Sequence, residues 1–407
     1  MLKPEILAPA GDKERLEAAL TFGADAVYLG ADAFTMRAAP HNFPAHELKE
    51  AVDLCHKKGV SVYLTVNTLP RNNEISDLPH YIKEWADAGV DAFIVADIGV
   101  LSVCKKYAPD IAIHMSTQTG IVNYVTATEL YDMGVKRIVT ARELSLDEIA
   151  EIRAKTPEEL EIEAFVHGAI CVSFSGRCLL SNYLINRDAN RGECAQPCRW
   201  EYALMEVNRE GKYFPINDSK EGTYILNSKD MCMIEHIAEL TKAGISSFKI
   251  EGRAKSAYYT AVITNAYRCA VDEYLKNPTD DFKTPQWIVD ECYKVSYRDY
   301  CTGFYFNAPH EYANISFEGG YIRHCDVVAA VTESKDGYIY AEQRNKFFKG
   351  DTLDALSPGK EPVIFSADEL FDLEGNEIES TPHPMMQFKI KSDIVFPAGT
   401  LLRKAKD

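Results

Sequence analysis

Cysteine is the residue type in this chain of 407 residues whose spacing points to chemistry. Of eleven cysteines, Cys171, Cys178, Cys194 and Cys198 fall in one stretch, EAFVHGAICVSFSGRCLLSNYLINRDANRGECAQPCRW, and Cys232 follows nearby. Thiolates gathered this way in an intracellular chain hold a metal or an iron–sulfur cluster. The spacings are C-x6-C, C-x15-C and C-x3-C, unlike the paired C-x2-C of a zinc ribbon. They leave two choices open: zinc or iron–sulfur, and Cys194 or Cys198 as ligand. Gly176 and Gly192 flank the cluster. The other six, Cys55, Cys104, Cys269, Cys292, Cys301 and Cys325, stand singly in apolar runs, the setting of buried structural thiols.

Composition sets the background for that cluster. A hydrophobic content of 46% with 26% charged residues predicts a soluble globular protein with a substantial core. The opening MLKPEILAPAGDKERLEAAL has no basic segment followed by an apolar one, so no secretory signal is expected. No apolar run reaches the ~18 residues of a membrane span. These features predict a cytoplasmic protein without membrane attachment, where cysteines meet metals more often than each other. A net charge of −17 argues against broad nucleic-acid affinity. It leaves room for a local basic patch, and Arg177, Arg187, Arg191 and Arg199 outnumber Asp188 and Glu193 around the cysteines.

The elements that position these residues repeat. An amphipathic helix, a glycine and a short apolar strand recur at GADAVYLG, GVSVYLTVN, GVDAFIVAD, GVKRIVTAR and GISSFKIEG. Glycine ends each helix, and runs apolar on both faces are buried parallel strands. EILAPAG, DIAIHMSTQ and EIEAFVHG complete a set of eight. Eight such units predict a TIM-type (β/α)8 barrel, an α/β fold. The rival doubly wound sheet lacks a GxGxxG turn after its first strand. After strand seven the pattern opens into a long insertion, residues 169–224, carrying the clustered cysteines. Cys232 is expected in the helix that follows, SKDMCMIEHIAELTKAG. The barrel domain spans 1–317, and short strands from residue 318 to 407 predict a small C-terminal β-barrel.

Insertions at the carboxyl ends of barrel strands build active sites. Alternate residues near those ends share a face: His114, Ser116 and Gln118; Glu163, Phe165 and His167; Lys249, Glu251 and Arg253. Asn67, Asp97 and Arg142 end strands three, four and six. Candidate catalytic groups are therefore Glu163, His167, His114, Lys249 and Glu251, with Lys249 able to form a Schiff base and the histidines to move protons. Candidate substrate-binding groups are Asn67, Asp97, Gln118, Arg142 and Arg253. The plainer alternative is a network of ion pairs, Lys249 with Glu163 or Arg142 with Glu143. A reactive cysteine with His167 as base is a further option. The chain has no GxSxG, HExxH or P-loop.

The stretch from Glu163 to Cys171, continued by Gly176-Arg-Cys178-Leu-Leu-Ser181, resembles the signature of peptidase family U32, the collagenase-like proteases. RGECAQPCRW, EILAPAG, GADAVYLG and FKIEGR resemble that family too, so the likeness covers nearly the whole chain. The resemblance implies more than its name, because the better understood members are RNA and quinone hydroxylation factors. In the ubiquinone-biosynthesis pair four cysteines hold a [4Fe-4S] cluster, and one partner's pattern falls here on Cys171, Cys178, Cys194 and Cys232. The other partner has a C-x3-C step like that of Cys194 and Cys198. Zinc is the fallback metal. Length and C-terminal domain resemble most the type that forms 5-hydroxyuridine at the tRNA wobble position with prephenate as hydroxyl source. The implied partners are tRNA, met by the basic patch, and a prephenate-like carboxylate, met by Arg142, Lys249 and Arg253. The alternative function is a peptidase, a hydrolase as the family name says. A third reading is a noncatalytic scaffold whose cluster only stabilises the insertion.

Overall fold

The structure is a computed structural model that describes residues 3–36, 42–174, 177–200, 203–205, 213–215, 228–307 and 320–406. Gly176, parts of the insertion, and the expected boundary between 317 and 318 lie outside these residues.

Eight parallel strands close into a barrel. They are β1 (Glu5–Pro9), β2 (Ala26–Gly30), β3 (Ser61–Val66), β4 (Ala92–Val95), β5 (Ala112–Met115), β6 (Arg137–Val139), β7 (Glu161–Ala169) and β8 (Ser247–Ile250). Each pairs with the next, and β8 pairs with both β7 and β1. The glycines between helix and strand take the left-handed conformation, as at Gly59 (φ +72°) and Gly244 (φ +83°). One face of each strand packs on the surrounding helices, as Ile6, Val27, Val62 and Phe93 do, while Leu7, Tyr28, Tyr63 and Ile94 fill the barrel. The eightfold expectation is met strand for strand. No helix among the described residues is long and apolar enough to cross a membrane.

The barrel's lower half is charged as well as apolar. Arg137 reaches Glu5 (2.7 Å), Glu161 (2.7 Å) and Glu163 (3.3 Å), while Lys249 Nζ lies 2.6 Å from Glu163. Burying Arg137, Lys249 and Glu163 is tolerable because each cation faces a carboxylate. For Lys249 and Glu163 the ion-pair alternative therefore describes the structure.

After β7 two short strands extend the sheet. Asp230–Cys232 runs antiparallel to β7, with Cys232 opposite His167, and Tyr300–Cys301 lies beside it. Cys232 is therefore in a strand, not in a helix. The helix of that segment is Ile237–Lys242, beginning only after the turn at His236.

The C-terminal domain holds seven antiparallel strands: β9 (Cys325–Lys335), β10 (Tyr338–Gln343), β11 (Thr352–Leu356), β12 (Val363–Ser366), β13 (Leu370–Phe371), β14 (Gln387–Lys391) and β15 (Leu401–Ala405). Their order is β12-β11-β15-β9-β10-β14-β13. Among the described residues the edge strands β12 and β13 are not paired with each other, so the expected barrel is a half-barrel curled over Val328, Phe347, Leu353, Phe388 and Leu402. It is joined to the larger domain through charge. Arg403 on β15 is fully buried, 2.6 Å from Glu291 of the helix Gln286–Cys292 and 2.8 Å from Asp354. Arg403→Ala leaves Glu291 buried beside Lys294 alone, and is expected to cost about 3–5 kcal/mol in chemical denaturation. A loss below ~1 kcal/mol would show that the pair is no anchor.

Candidate functional site at the barrel mouth

A cavity opens at the carboxyl ends of the barrel strands. Tyr28, Thr65, Ile94, Val139 and Phe165 line it from the strands, with Asn67, Ser116, Thr117, Gln118, Arg142, Lys249, Glu251 and Arg253 at or beyond their ends. Cys171, Cys178 and Cys194 close it from the insertion, with Ala189 and Met36. The three thiols and six of the proposed polar residues thus share one space.

Its cations are held firmly. Arg142 donates to the Ala169 carbonyl (2.8 Å), stacks its guanidinium 3.8 Å from the Phe165 ring centre and lies 3.7 Å from Glu251. The carboxylate beside Arg142 is Glu251, just past the end of β8. Arg253 donates to Thr35 (2.8 Å), Thr65 (3.1 Å) and Asn42 (2.6 Å). Lys249 sits 4.6 Å from the Tyr28 ring centre as well as on Glu163. Asn67 accepts from the Met36 amide (3.2 Å), which holds the loop after β2 over the cavity.

The thiols keep local partners. The backbone amides of Leu180 and Gln196 each lie 3.3 Å from the sulfurs of Cys178 and Cys194. Burial pushes the Cys171 thiol up, offset by the Ser173 amide and Arg142. Cys198 is also pushed up by burial, and it lies within electrostatic reach of Cys171, Cys194 and Cys178. None of the eleven cysteines is in a disulfide. Three thiols facing one cavity, with amide donors beside them, fit a thiolate-ligated metal or cluster. The insertion that carries them is tied to the barrel through Arg191, which grips Glu74 with both guanidinium nitrogens, one contact at 2.8 Å. That pairing holds the Glu74 carboxyl down at about 2.

Five proposed residues lie elsewhere, Glu163 among them in the ion-pair network below the cavity. Asp97 caps the helix Ile98–Tyr107, accepting from the Val100 amide (3.0 Å), and does not line the cavity. His114 is buried deeper in the barrel, 4.6 Å from the Tyr63 ring centre, and Nδ1 has no hydrogen-bond partner among the described residues. Burial, with Arg137 and Lys249 adding repulsion, holds its pKa well below the usual imidazole range. It is a core residue and does not line the mouth. His167 departs because β7 bulges: Lys249 pairs with Phe165 but Ile250 with His167, so Val166 is the extra residue. The bulge turns His167 outward, among Tyr259, Tyr267 and Tyr300.

Cys232 is the fifth. It lies opposite His167 and outside the cavity, with its sulfur beside Cys292 and His167. Cys171, Cys178 and Cys194 line one cavity with Cys198 in electrostatic reach of all three, whereas Cys232 stands with His167 and Cys292. Thr65, Tyr28 and Ser116 were not singled out as binding residues. The alternation that marked Asn67 also marks Thr65 and Tyr63, so the signal was present for Thr65.

Just past the bulge, Gly168 has φ +102°, and an added Cβ there would meet the Glu251 carbonyl oxygen at 2.4 Å. Gly168→Ala is expected to destabilise the fold by about 1–3 kcal/mol and to displace Glu251 from the cavity. Thermal unfolding unchanged from wild type would contradict this.

Family models divide the chain into the same two parts. Peptidase family U32 matches residues 11–314, and the peptidase family U32 C-terminal domain matches residues 323–403. The chain is 34% identical to tRNA hydroxylation protein P1 of Bacillus subtilis over 99% of this chain and 95% of that protein. It is 32% identical to tRNA hydroxylation protein P of Escherichia coli, over 94% and 92% respectively. Against the 23S rRNA 5-hydroxycytidine C2501 synthase of Escherichia coli it is 35% identical, over 75% of this chain and 45% of that longer protein. Family signature, barrel and C-terminal half-barrel agree, and the chain belongs to peptidase family U32.

Proposed function

We propose that this protein is an RNA-modifying enzyme that hydroxylates tRNA wobble uridine to 5-hydroxyuridine, using an iron–sulfur cluster and a prephenate-type hydroxyl donor. The observation that carries this reading is the convergence of Cys171, Cys178 and Cys194 on a cavity edged by Arg142, Lys249 and Arg253. Support for the RNA substrate comes from relatives named for tRNA and rRNA hydroxylation.

Cys171, Cys178 and Cys194 would hold the cluster, with Cys198 as the further thiol in reach. When bound, the group supplies electron transfer or a Lewis-acidic iron. The residues of the chain do the rest. Arg142 and Arg253, fixed by carbonyl, hydroxyl and amide oxygens, orient a carboxylated molecule, since guanidinium groups clamp carboxylates. Phe165 and Tyr28 exclude water from the cavity floor. Converting C5–H to C5–OH removes two electrons from the base, and the donor that surrenders its hydroxyl takes them up. Exposed Arg177, which donates to the Gln118 carbonyl at the rim (2.9 Å), would meet the RNA backbone, with exposed Arg187 of the same insertion as a further contact.

Arg142→Ala is expected to raise the KM for the carboxylated donor about 10–100-fold, the loss of a hydrogen bond to a charged group. The peptidase reading gains little here. A Cys–His contact does exist between Cys232 and His167, but His167 is 1% exposed and neither residue lines the mouth. Mass spectrometry of tRNA and rRNA nucleosides from a deletion strain tests the function. Loss of a hydroxylated uridine is expected, and unchanged RNA would overturn the reading.

A further inference from the structure

Behind the bulge of β7, on the side away from the mouth, three ligating side chains meet. His167, Cys232 and Cys292 each offer one ligand atom, and these atoms all lie within 4.8 Å of one another. They come from three elements: β7, the strand Asp230–Cys232, and the end of the helix Gln286–Cys292. Buried thiols in a hydrophobic core do not normally pair with each other and an imidazole. We propose that His167, Cys232 and Cys292 form a second metal site, built for zinc and separate from the thiols of the mouth.

The chemistry of the three groups favours that ion. Two soft thiolates and one imidazole are a preferred donor set for zinc, and hard cations would reject them. Tetrahedral zinc places its ligand atoms roughly 3.5–3.8 Å apart, so small side-chain rotations close the site. The surroundings hold the imidazole in place. Tyr267 donates to the Val166 carbonyl and Tyr300 to the Cys292 carbonyl, each at 2.7 Å. With both phenolic protons so placed, their oxygens lie 3.4 Å from Nδ1 and 3.3 Å from Nε2 of His167. One ring nitrogen can donate to a tyrosine oxygen while the other presents its lone pair to a metal, the outer support seen around metal-bound histidines. Cys292 and His167 are buried, and Cys232 is partly open, which leaves a route for entry.

The site would fasten the strand Asp230–Cys232 and the helix Gln286–Cys292 to β7, beneath the cavity wall. Its role is structural, and it does not depend on the cluster reading above. The test uses the full chain purified under nitrogen, with zinc in the growth medium, and measures metals by mass spectrometry. About one zinc per chain is expected, retained when Cys178→Ala disturbs the mouth and lost in Cys292→Ala while iron remains. X-ray absorption at the zinc edge of the wild-type protein needs no variant, and a first shell of two sulfurs with imidazole nitrogen is expected. Any of three results would overturn the proposal: no zinc bound, a zinc shell of four sulfurs, or loss of iron in Cys232→Ala.

Discussion

Alanine at Cys171, Cys178 or Cys194 is expected to abolish iron binding and bring hydroxylated uridine down to the level of the deletion strain. The three sulfurs face one cavity, and among the described residues no other cysteine lines it. Losing an outer partner of a metal site costs ~10–100-fold in affinity or activity, and a direct ligand should cost more. The fold should survive, because these thiols lie half-buried in the insertion and not in the core. Iron analysis, a denaturation curve and tRNA nucleoside analysis on each variant provide the check. Full hydroxylation by a variant that binds no iron would remove the cluster from the mechanism. Cys232→Ala should keep its iron, which separates the observed arrangement from the ligand set that resemblance alone implies.

The second large effect concerns Glu163. It is 0% exposed and stands between Lys249 (2.6 Å) and Arg137 (3.3 Å). Glu163→Gln removes the charge that both cations face, although Arg137 keeps Glu5 and Glu161. Breaking a buried pair from one side typically costs about 3–5 kcal/mol, because the remaining charge is left without compensation. Lys249 lines the cavity floor, so activity should fall together with stability. The double variant Glu163→Gln/Lys249→Met should recover much of the lost stability, since the uncompensated ammonium is gone. Activity should not return with it, which distinguishes the structural role of the pair from the use of Lys249 in the cavity. A single variant as stable as wild type would mean that water or another group already serves Lys249.

The barrel was legible because its strands are marked twice, by a helix-ending glycine and by a run apolar on both faces. Alternation then placed Asn67, Gln118, Lys249, Glu251 and Arg253 at the mouth, and it did so wherever the strand is regular. It failed at His167, where one extra residue in β7 reverses the face, and a bulge leaves no mark in the pattern of apolar residues. Cys232 was read into a helix because SKDMCMIEHIAEL is apolar at both helical and strand spacing, and three residues are too few to show a period. Asp97 sits at the end of a strand, but a strand end is also a helix start, and the carboxylate is taken up as a cap. Cys292 looked like a solitary core thiol. Its partners are sixty and more residues away in the chain, and only the tertiary fold brings them together. The C-terminal strands were readable one by one from their turns, whereas closure of the sheet depends on pairing between distant edges.

Chemical analysis of iron and acid-labile sulfide in the protein purified without oxygen tests the central claim most directly. About four of each per chain are expected, with visible absorbance that disappears on exposure to air. Protein that contains no sulfide yet still forms hydroxylated uridine would contradict the account.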